Sequence, residues 1–530
     1  MRSAIAIGLL LLGAVGPALG DDASVARCGR RKISAIARGC RDRLRAEARF
    51  LHDADAVAHA QRVEAIAGRL VTTWAQAETE AGDIRCATDT ADGAAAAARL
   101  DAAVSATLTG LSGPTECRRA LVRLWAPLCR VAIATERALL RGRSDAAAAR
   151  AAAVTRLRGR IAARWPAPGC TGGITPDEAA LAVLRLASGA AGDATTRGLR
   201  TVAAELGRAV GAAVEPDEVA SDATYAAALA HDMGSLTAEN AMKWGVVHPQ
   251  PDQWAFGPAD AVVALAETSG QRVRGHTLVW GAMQLPGYVD GAATAAELRN
   301  YMADHIAGLV SRYAGRIAQW DVVNEPLPGT LDPPTPDGLD DNVFRRLLGH
   351  GYVEEALRLA RTADPAARLY VNENGIEVPG PRQDRFYQLV QDLLAAGAPL
   401  DGVGFQAHLG LIPPAQYPDG AVIEASLRRF ADLGIEVELT ELDVTLLFRP
   451  GDLPTRFAFQ GDYYRAVVAA CVAVPACRGV TTWGLSDQYT WLRSFFGVTD
   501  WPLPFGDAWE RKPAYFGMRA ALLQGLLAGG

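Results

Sequence analysis

The spacing of apolar residues changes once along the chain, near residue 190. Between residues 21 and about 166, Leu, Val and Ile recur at helical spacing among many Ala and Arg residues, as in DGAAAAARLDAAVSATL. From about residue 194 onward, short β-prone runs alternate with amphipathic segments such as NVFRRLLGHGYVEEALRLARTA. The pattern predicts an N-terminal all-α domain followed by a domain of the α/β class.

Eight runs in the second region have the composition of β-strands. Amphipathic helices separate them, which favours parallel βα units, and eight such units close a (β/α)8 TIM barrel. Polar and aromatic residues follow the C-terminal ends of these runs, where barrel enzymes build their sites. The candidate strands are LGRAVGAAV, GSLTAEN, QRVRGHTLVW, IAQWDVVNEP, ARLYVNEN, GVGFQAHL, IEVELTELDV and GVTTWGLSD.

The first twenty residues have the order of a secretory signal peptide. Arg2 precedes an apolar run from Ala4 to Leu12, and small residues end the segment. The run is too short for a membrane-spanning helix and is followed by Gly13 and Pro17. We therefore expect cleavage, export to the periplasm or the medium, and no membrane span.

Charge divides the chain where the hydrophobic spacing does. Residues 21–190 contain 26 basic and 18 acidic residues, a balance of +8, whereas residues 191–530 contain 26 basic and 41 acidic residues, a balance of −15. Phosphate backbones select clustered Lys and Arg, so no nucleic-acid partner is expected for the acidic region. We predict a signal peptide (1–20), an Ala/Arg-rich helical domain (21–190) and a barrel domain (191–530).

The eight cysteines predict disulfides rather than a metal centre. An even number fits an oxidising compartment, and the sequence has neither a CxxC pair nor an HExxH motif. We therefore expect no metal and no cofactor. Six cysteines lie in the first third of the chain, and the sequence does not decide among their fifteen pairings. They are Cys28, Cys40, Cys86, Cys117, Cys129 and Cys170.

Two glutamates lie at strand ends of the second region. Glu325 follows the fourth candidate strand in WDVVNEP, and Glu441 lies in the seventh, in ELTELDV. Glycoside hydrolysis needs two carboxyl groups, one to protonate the leaving oxygen and one to attack or to activate water. Either glutamate alone could be a solvated or ion-paired carboxylate, but the two strand ends together supply the pair that this chemistry requires.

Four motifs, in this order, resemble the glycoside hydrolase family 10 endo-xylanases. They are GHTLVW, WDVVNEP, ELTELDV and TTWGLSDQYTW, and the resemblance extends over residues of about 194 to 528. It implies a retaining enzyme that hydrolyses internal β-1,4 bonds of xylan and xylo-oligosaccharides, and a monomer is expected. It also implies a short structural disulfide between Cys471 and Cys477, in CVAVPAC.

The resemblance assigns roles around the two glutamates. Glu325 matches the general acid/base, and Glu441 matches the nucleophile. Asn324 matches a residue that contacts the 2-hydroxyl of the sugar, and Gln406 matches a polar contact near the acid/base. His408 matches a histidine that hydrogen-bonds the nucleophile, and Asp443 matches the aspartate behind that histidine. Such hydrogen bonds suit a nucleophilic carboxylate, because they keep it ionised.

Residues in LTAENAMKW and several aromatic residues match the family's sugar-binding residues. The polar side chains would hydrogen-bond the glycone xylose units, and the tryptophans would offer flat faces to the sugar rings. The ring of Trp280 could equally lie in the core. The residues so assigned are Glu239, Asn240, Lys243, His276, Trp280, Trp483 and Trp491.

Three departures from the family pattern concern the leaving-group side. Gly281, Ala282 and Met283 stand between Trp280 and the QLP segment, where the family has two residues. The turn at residues 372–375 reads NENG and lacks an aromatic residue, and a proline-rich loop, LPGTLDPPTPDG, follows Pro326. We therefore expect altered leaving-group subsites.

Other functions stay open at this point. Because of these departures, a barrel hydrolase that acts on another β-1,4-glycan or on short xylosides remains an alternative function. A non-catalytic sugar-binding protein is a further alternative. The helical domain contains four aromatic residues and no Tyr, which argues against a sugar-binding module. A disulfide-stapled helical spacer or barrel-packing domain is the preferred interpretation, with contact to an anionic cell surface as an alternative.

Overall fold

The computed structural model describes residues 22–81, a few positions between 97 and 123, and residues 198–528 except 282–284, 330–336 and 412–416. The chain separates into two compact units, one of residues 1–196 with 527–530 and the other of residues 197–526. Several predictions lie outside the described residues. They concern the signal peptide, the cysteines Cys86, Cys117, Cys129 and Cys170, the residues Ala282 and Met283, and most of the proline-rich loop.

The described part of the first unit is helical, as predicted. Its helices α1 (Asp22–Asp53) and α2 (Ala56–Ala81) pack against each other. Side chains three or four positions apart share one face of a helix, and such a series is buried along α1. Cys28 and Cys40 each take part in a disulfide bond. The buried series consists of Cys28, Lys32, Ile36, Cys40 and Leu44.

The second unit is a closed parallel barrel. Its eight strands pair in the order β1, β2, β3, β4, β5, β6, β8, β9, and β9 pairs with β1 again. A two-residue strand, β7, pairs with β8 beyond the end of β6. The strands are β1 (Ala209–Val214), β2 (Ser235–Ala238), β3 (Arg272–Trp280), β4 (Gln319–Asn324), β5 (Arg368–Glu373), β6 (Gly402–Phe405), β7 (His408–Leu409), β8 (Glu436–Val444) and β9 (Cys477–Thr482).

All eight candidate strands are therefore confirmed, and helices lie between successive strands. In helix α11, the apolar side chains recur three or four positions apart and are buried. This spacing is the amphipathic pattern that predicted the helices between the strands. The helices are α3 (Leu199–Glu205), α4 (Pro216–Ser221), α5 (Ala223–Asp232), α6 (Trp244–Val247), α7 (Gly257–Thr268), α8 (Gly287–Asp290), α9 (Ala295–Arg312), α10 (Val343–Leu348), α11 (Tyr352–Ala363), α12 (Pro381–Ala395), α13 (Gly420–Ala431), α14 (Leu453–Ala473), α15 (Trp491–Phe496) and α16 (Pro513–Ala528).

A charged cluster fills part of the barrel interior. Arg274 on β3 donates to both oxygens of Asp321 on β4 and, at 2.8 Å, to Glu438 on β8. All three side chains are at least 95% buried. Burial would raise the pKa of Asp321, but the charges and hydrogen bonds of Arg274 and His276 together outweigh it, and the pKa lies below its usual value. The cluster joins three strands directly beneath the polar end of the barrel.

A disulfide joins Cys471, near the end of α14, to Cys477, at the start of β9, with the Cα atoms 5.4 Å apart. This is the bridge that the family resemblance implies. It closes the connection into the last strand of the barrel, so the register of β9 has a covalent support.

No helix of the described residues is long and apolar enough to cross a membrane.

Candidate active site

A cavity of about 560 Å³ opens at the C-terminal ends of the barrel strands, and both Glu325 and Glu441 line it. The structure brings the predicted site residues together here. Asp443 does not line the cavity and instead lies behind His408. The predicted residues that do line it are Glu239, Asn240, Lys243, His276, Trp280, Asn324, Glu325, Gln406, His408, Glu441, Trp483 and Trp491.

Glu441 is held by a cation and an amide. It lies on β8 with 4% of its surface exposed, and its Oε1 accepts from Asn372 Nδ2 at 2.6 Å. The other oxygen, Oε2, lies 3.1 Å from His408 Nε2. Burial would raise the pKa of Glu441, but the hydrogen bond from His408 and the nearby histidines outweigh it and hold the pKa below its usual value. The carboxylate is therefore kept ionised.

Asp443 stabilises the protonated form of His408. The two groups are 2.9 Å apart, from Nδ1 to Oδ2, and Trp491 Nε1 donates to the same oxygen at 2.9 Å. Burial alone would lower the pKa of His408, but the charges and hydrogen bonds of Asp443 and Glu441 raise it well above the usual value. A protonated imidazole donates from both nitrogens. It can thus bind Asp443 and Glu441 at the same time.

Glu325 is held by neutral donors. Trp280 Nε1 donates to its Oε2 at 3.0 Å, and Gln406 Nε2 donates to its Oε1 at 2.8 Å. The residue follows the end of β4 with φ of 50°, a left-handed conformation that is rare outside glycine. Its backbone N–H donates to the carbonyl of Asn372 at 2.8 Å. Trp280 therefore belongs to the site and not to the core.

Asn372 links the two halves of the site, a role that the sequence analysis missed. Its Nδ2 donates to Asn324 Oδ1 at 2.8 Å as well as to Glu441. Its Oδ1 accepts from Thr440 Oγ1 at 2.7 Å, which fixes the orientation of the amide. A Cβ atom at Gly404 would come within 2.1 Å of the same oxygen. Only glycine therefore leaves room for this side chain.

The predicted glycone-binding residues form a connected polar network. Asn240 donates to Glu215 at 2.5 Å, and Lys243 Nζ donates to Asn240 at 2.7 Å. Burial, with the charge of Glu215 next, raises the pKa of Glu239 to about 8. Glu215, just after β1, was not predicted. Nothing in its local sequence, VEPDE, distinguishes it from a surface carboxylate that precedes a helix.

Two further predicted sugar-binding residues, His276 and Trp483, pack edge to face, with their ring planes at 75°. The ring of His276 lies edge-on to that of Trp483, with the centroids 5.1 Å apart. His276 Nδ1 lies 3.0 Å from Asp321 Oδ2. The charged cluster of the barrel interior thus orients a side chain that faces the cavity, and the ring of Trp483 is fixed beside it.

An ion pair ties together two of the segments that depart from the family pattern. Arg382 donates to buried Glu373 at 2.7 Å, to the Asn374 carbonyl at 2.7 Å and to the Pro328 carbonyl at 2.6 Å. Glu373 also accepts the backbone N–H of Leu327 at 3.0 Å. We call the Arg382–Glu373 pair the loop clamp, because it holds the segment after Glu325 against the turn after β5.

The loop clamp places a second buried carboxyl group close to Glu325. Burial raises the pKa of Glu373 to about 7, the charge of Arg382 opposes that rise, and the charge of Glu325 adds to it. The sequence signal was the unusual NENG turn, which pointed to the region but not to Arg382, nine positions away. The remaining departure from the family pattern begins at Gly281. A Cβ atom there would lie 2.2 Å from Asn342, so the backbone of Gly281 packs closely against that side chain.

Within the described part of the chain, no cluster of His, Cys, Asp and Glu is arranged to hold a metal ion. His408, Glu441 and Asp443 are instead linked in a row by hydrogen bonds. The residues present can bind a sugar, donate a proton and attack a carbon atom. These are the steps of glycosyl transfer to an enzyme carboxylate.

Comparison with known proteins agrees with this arrangement. Among relatives, the chain is 39% identical over 329 residues to endo-1,4-beta-xylanase A of Phanerodontia chrysosporium, covering 61% of this chain and 77% of the relative. It is 37% identical over 330 residues to the endo-1,4-beta-xylanase of Agaricus bisporus, covering 60% and 93%. The similarity is thus to nearly the whole of the second protein.

A solved structure is similar over the same part of the chain. Xylanase 10B from Thermotoga petrophila RKU-1, in complex with xylobiose, superposes with a TM-score of 0.58 and 32% identity, covering 62% of this chain and 98% of that one. The model of glycosyl hydrolase family 10 matches residues 198–521, more than half of the chain. The barrel, the paired glutamates and this match lead to one conclusion: the chain belongs to glycosyl hydrolase family 10.

Proposed function

We propose that the protein is a secreted endo-β-1,4-xylanase that retains anomeric configuration through a double displacement. The observation that carries the proposal is the contrast between the two glutamates. Glu441 accepts from a protonated histidine and an amide, whereas Glu325 accepts from an indole and an amide that carry no charge. A nucleophile must be ionised, and the protonated histidine hydrogen-bonds Glu441 and not Glu325, which supports this assignment of the two roles.

In the first step, Glu441 attacks the anomeric carbon while Glu325 transfers its proton to the leaving oxygen. A covalent xylosyl ester with Glu441 forms, and the glycosidic C–O bond breaks. In the second step, ionised Glu325 takes a proton from water as the water oxygen attacks the same carbon. The ester bond to Glu441 then breaks, so both carboxyl groups return to their initial states.

The neighbouring residues support these steps. Asn324 would contact the 2-hydroxyl of the sugar under attack, and Asn372 would orient it. His408 would stabilise the carboxylate of Glu441 both before attack and as it departs. Trp483 and Trp491 would offer apolar faces to the sugar rings, and Glu239, Asn240, Lys243 and His276 would bind the glycone hydroxyls.

Two measurements test the proposal. Hydrolysis of xylo-oligosaccharides followed by proton NMR should show the β-anomer first, because two inversions at one carbon restore its configuration. Reducing-sugar release should be large from xylan and small from cellulose. An α-anomer as the first product would contradict the roles given to the glutamates.

A second candidate, hydrolysis of short or aryl xylosides or of another β-1,4-glycan, is favoured by the loop clamp. The loop clamp is an ion pair on the proposed leaving-group side, in a turn where the family pattern has an aromatic residue. Activity that is high on aryl xylosides and low on xylan would support this candidate. Bond-cleavage frequencies on xylo-oligosaccharides would show it as weak binding on the leaving-group side.

We further propose that residues 1–20 are a cleaved signal peptide and that residues 191–530 act without the helical domain 21–190. The barrel contains a complete ring of strands with its own core. A variant that lacks residues 21–185 should keep xylan hydrolysis, and the exported full-length protein should begin near residue 21 by N-terminal sequencing. A folded but inactive truncated protein would show that the helical domain contributes to the site.

A further inference from the structure

Three phenylalanines outside the predicted site form a band that starts at Phe495, in the lining of the cleft, and continues away from it. Phe495 lies four positions after Trp491 on α15, and residues so spaced share one face of a helix. The two ring centroids are 5.2 Å apart. Phe496 lies edge-on to Phe495 at 5.1 Å and to Phe448, in the loop after β8, at 6.4 Å. We call Phe448, Phe495 and Phe496 the aromatic ledge.

The aromatic ledge is exposed to water. Phe495 is 67% exposed and Phe448 is 44% exposed. Four large apolar side chains are exposed in the part of the chain that the structure describes, and three of these four lie in or next to the ledge. They are Phe448, Phe495 and Val498, and the fourth, Val57, lies in the first unit. Scattered exposed apolar residues need no explanation, but a cluster of them marks a binding surface.

The position of the ledge identifies its ligand. Phe495 lines the same cavity as Glu325 and Glu441, so a chain bound across the glutamates can continue onto it. A xylopyranose ring has C–H groups on its faces and hydroxyls around its edge. Lying flat on an aromatic ring, it buries apolar surface on both sides and leaves its hydroxyls in water, so no polar group loses its hydrogen bonds.

We propose that the aromatic ledge is an additional sugar-binding platform, occupied by main-chain xylose units of a long substrate beyond the units held at Trp483 and Trp491. The inference rests on the proposed xylanase function and adds a preference for long chains to it. Short substrates end before the ledge. Long ones gain stacking contacts on Phe495 and then on Phe448, so they bind more tightly.

The test compares substrate lengths. Phe495→Ala should lower kcat/KM on xylohexaose by about 3- to 10-fold, the range of one aromatic contact. The loss should be smaller on an aryl xylobioside and should appear mainly in KM. Phe495→Leu keeps apolar bulk but removes the flat face, so it should resemble Phe495→Ala. Phe495→Trp should keep or improve the activity on xylohexaose, and Val57→Ala, the matched exposed control, should change neither substrate.

Three outcomes would overturn the inference. An equal loss on both substrates would make Phe495 a structural residue, and full activity of Phe495→Leu would exclude ring stacking. A dimer in the wild type that Phe495→Ala converts to a monomer, by sedimentation, would make the ledge a contact between copies of the chain. A wild-type enzyme that does not hydrolyse xylan at all would instead contradict the proposed function, so the two failures are distinguishable.

Discussion

The two glutamates of the cleft each accept two side-chain hydrogen bonds, yet their surroundings differ in charge. Glu441 lies beside a histidine that Asp443 keeps protonated, and it is almost fully buried. Glu325 is half-buried and accepts only from Trp280 and Gln406. The number of hydrogen bonds therefore does not separate the two roles. The difference between the two proposed roles lies in His408, a protonated group that hydrogen-bonds Glu441 and not Glu325.

Removing the nucleophile should have the largest effect on this pair. Glu441→Ala leaves no group to form the covalent ester, so activity on every substrate should fall by on the order of 10⁵- to 10⁶-fold. Steady-state rates on xylan and on an aryl xyloside would measure the loss. Rescue by azide to an α-product would be consistent with retention, whereas substantial activity without azide would contradict the assignment.

Removing the acid/base should give a loss that depends on the leaving group. Glu325→Ala should lose about 10²- to 10⁴-fold on xylan, because the leaving sugar needs a proton. On an aryl xyloside with an acidic phenol, it should still form the glycosyl-enzyme and then stall. Added azide should restore turnover and give a β-azide, detectable by NMR. Equal losses on both substrates would show that Glu325 is not the acid.

The loop clamp offers a way to disturb Glu325 without touching it. Arg382→Met frees the segment after Glu325 from the turn after β5, and a misplacement of about 1 Å costs about 100-fold. The loss should be greater for xylan than for an aryl xyloside with a good leaving group. Glu373→Gln keeps an acceptor for the Leu327 N–H and should lose less. Arg385→Met, on the same helix but outside the cavity lining, is the matched control.

The smallest expected effect is a shift in pH dependence. His408→Gln keeps a donor near Glu441 but removes the cation that lowers the pKa of Glu441, so this pKa should rise. Activity requires ionised Glu441 and falls as the pH drops through that pKa. The acidic limb of the kcat/KM profile should therefore move to higher pH, while the alkaline limb moves less. An unchanged acidic limb would mean that the charge of His408 does not control Glu441.

The sequence predicted the barrel well because each strand is a short buried run between amphipathic helices, a local pattern. It also located Glu325, Glu441 and His408, since each lies in a contiguous motif. The polar residues Asn372, Glu215 and Arg382 were missed because their partners are distant in sequence. Asn372, for example, contacts Glu441, 69 positions away. Only the closed barrel brings such residues together.

Trp280 marks another limit of sequence reasoning. A tryptophan at a strand end suits either the core or a sugar site, and its motif does not decide. The structure decides through one hydrogen bond, from the indole nitrogen of Trp280 to Glu325, a residue that has a left-handed backbone conformation. A non-glycine residue with positive φ has no sequence signature of its own.

Asp321 serves two structures at once. One of its oxygens accepts from both Arg274 and His276, so the same carboxylate belongs to the barrel interior and orients a side chain of the cleft. Thermostability and sugar affinity therefore cannot be tuned separately at this position. A directed-evolution library that varies Asp321 would trade one property against the other. Gains in thermostability should come instead from residues such as Tyr370, which contacts Arg274 in the barrel interior.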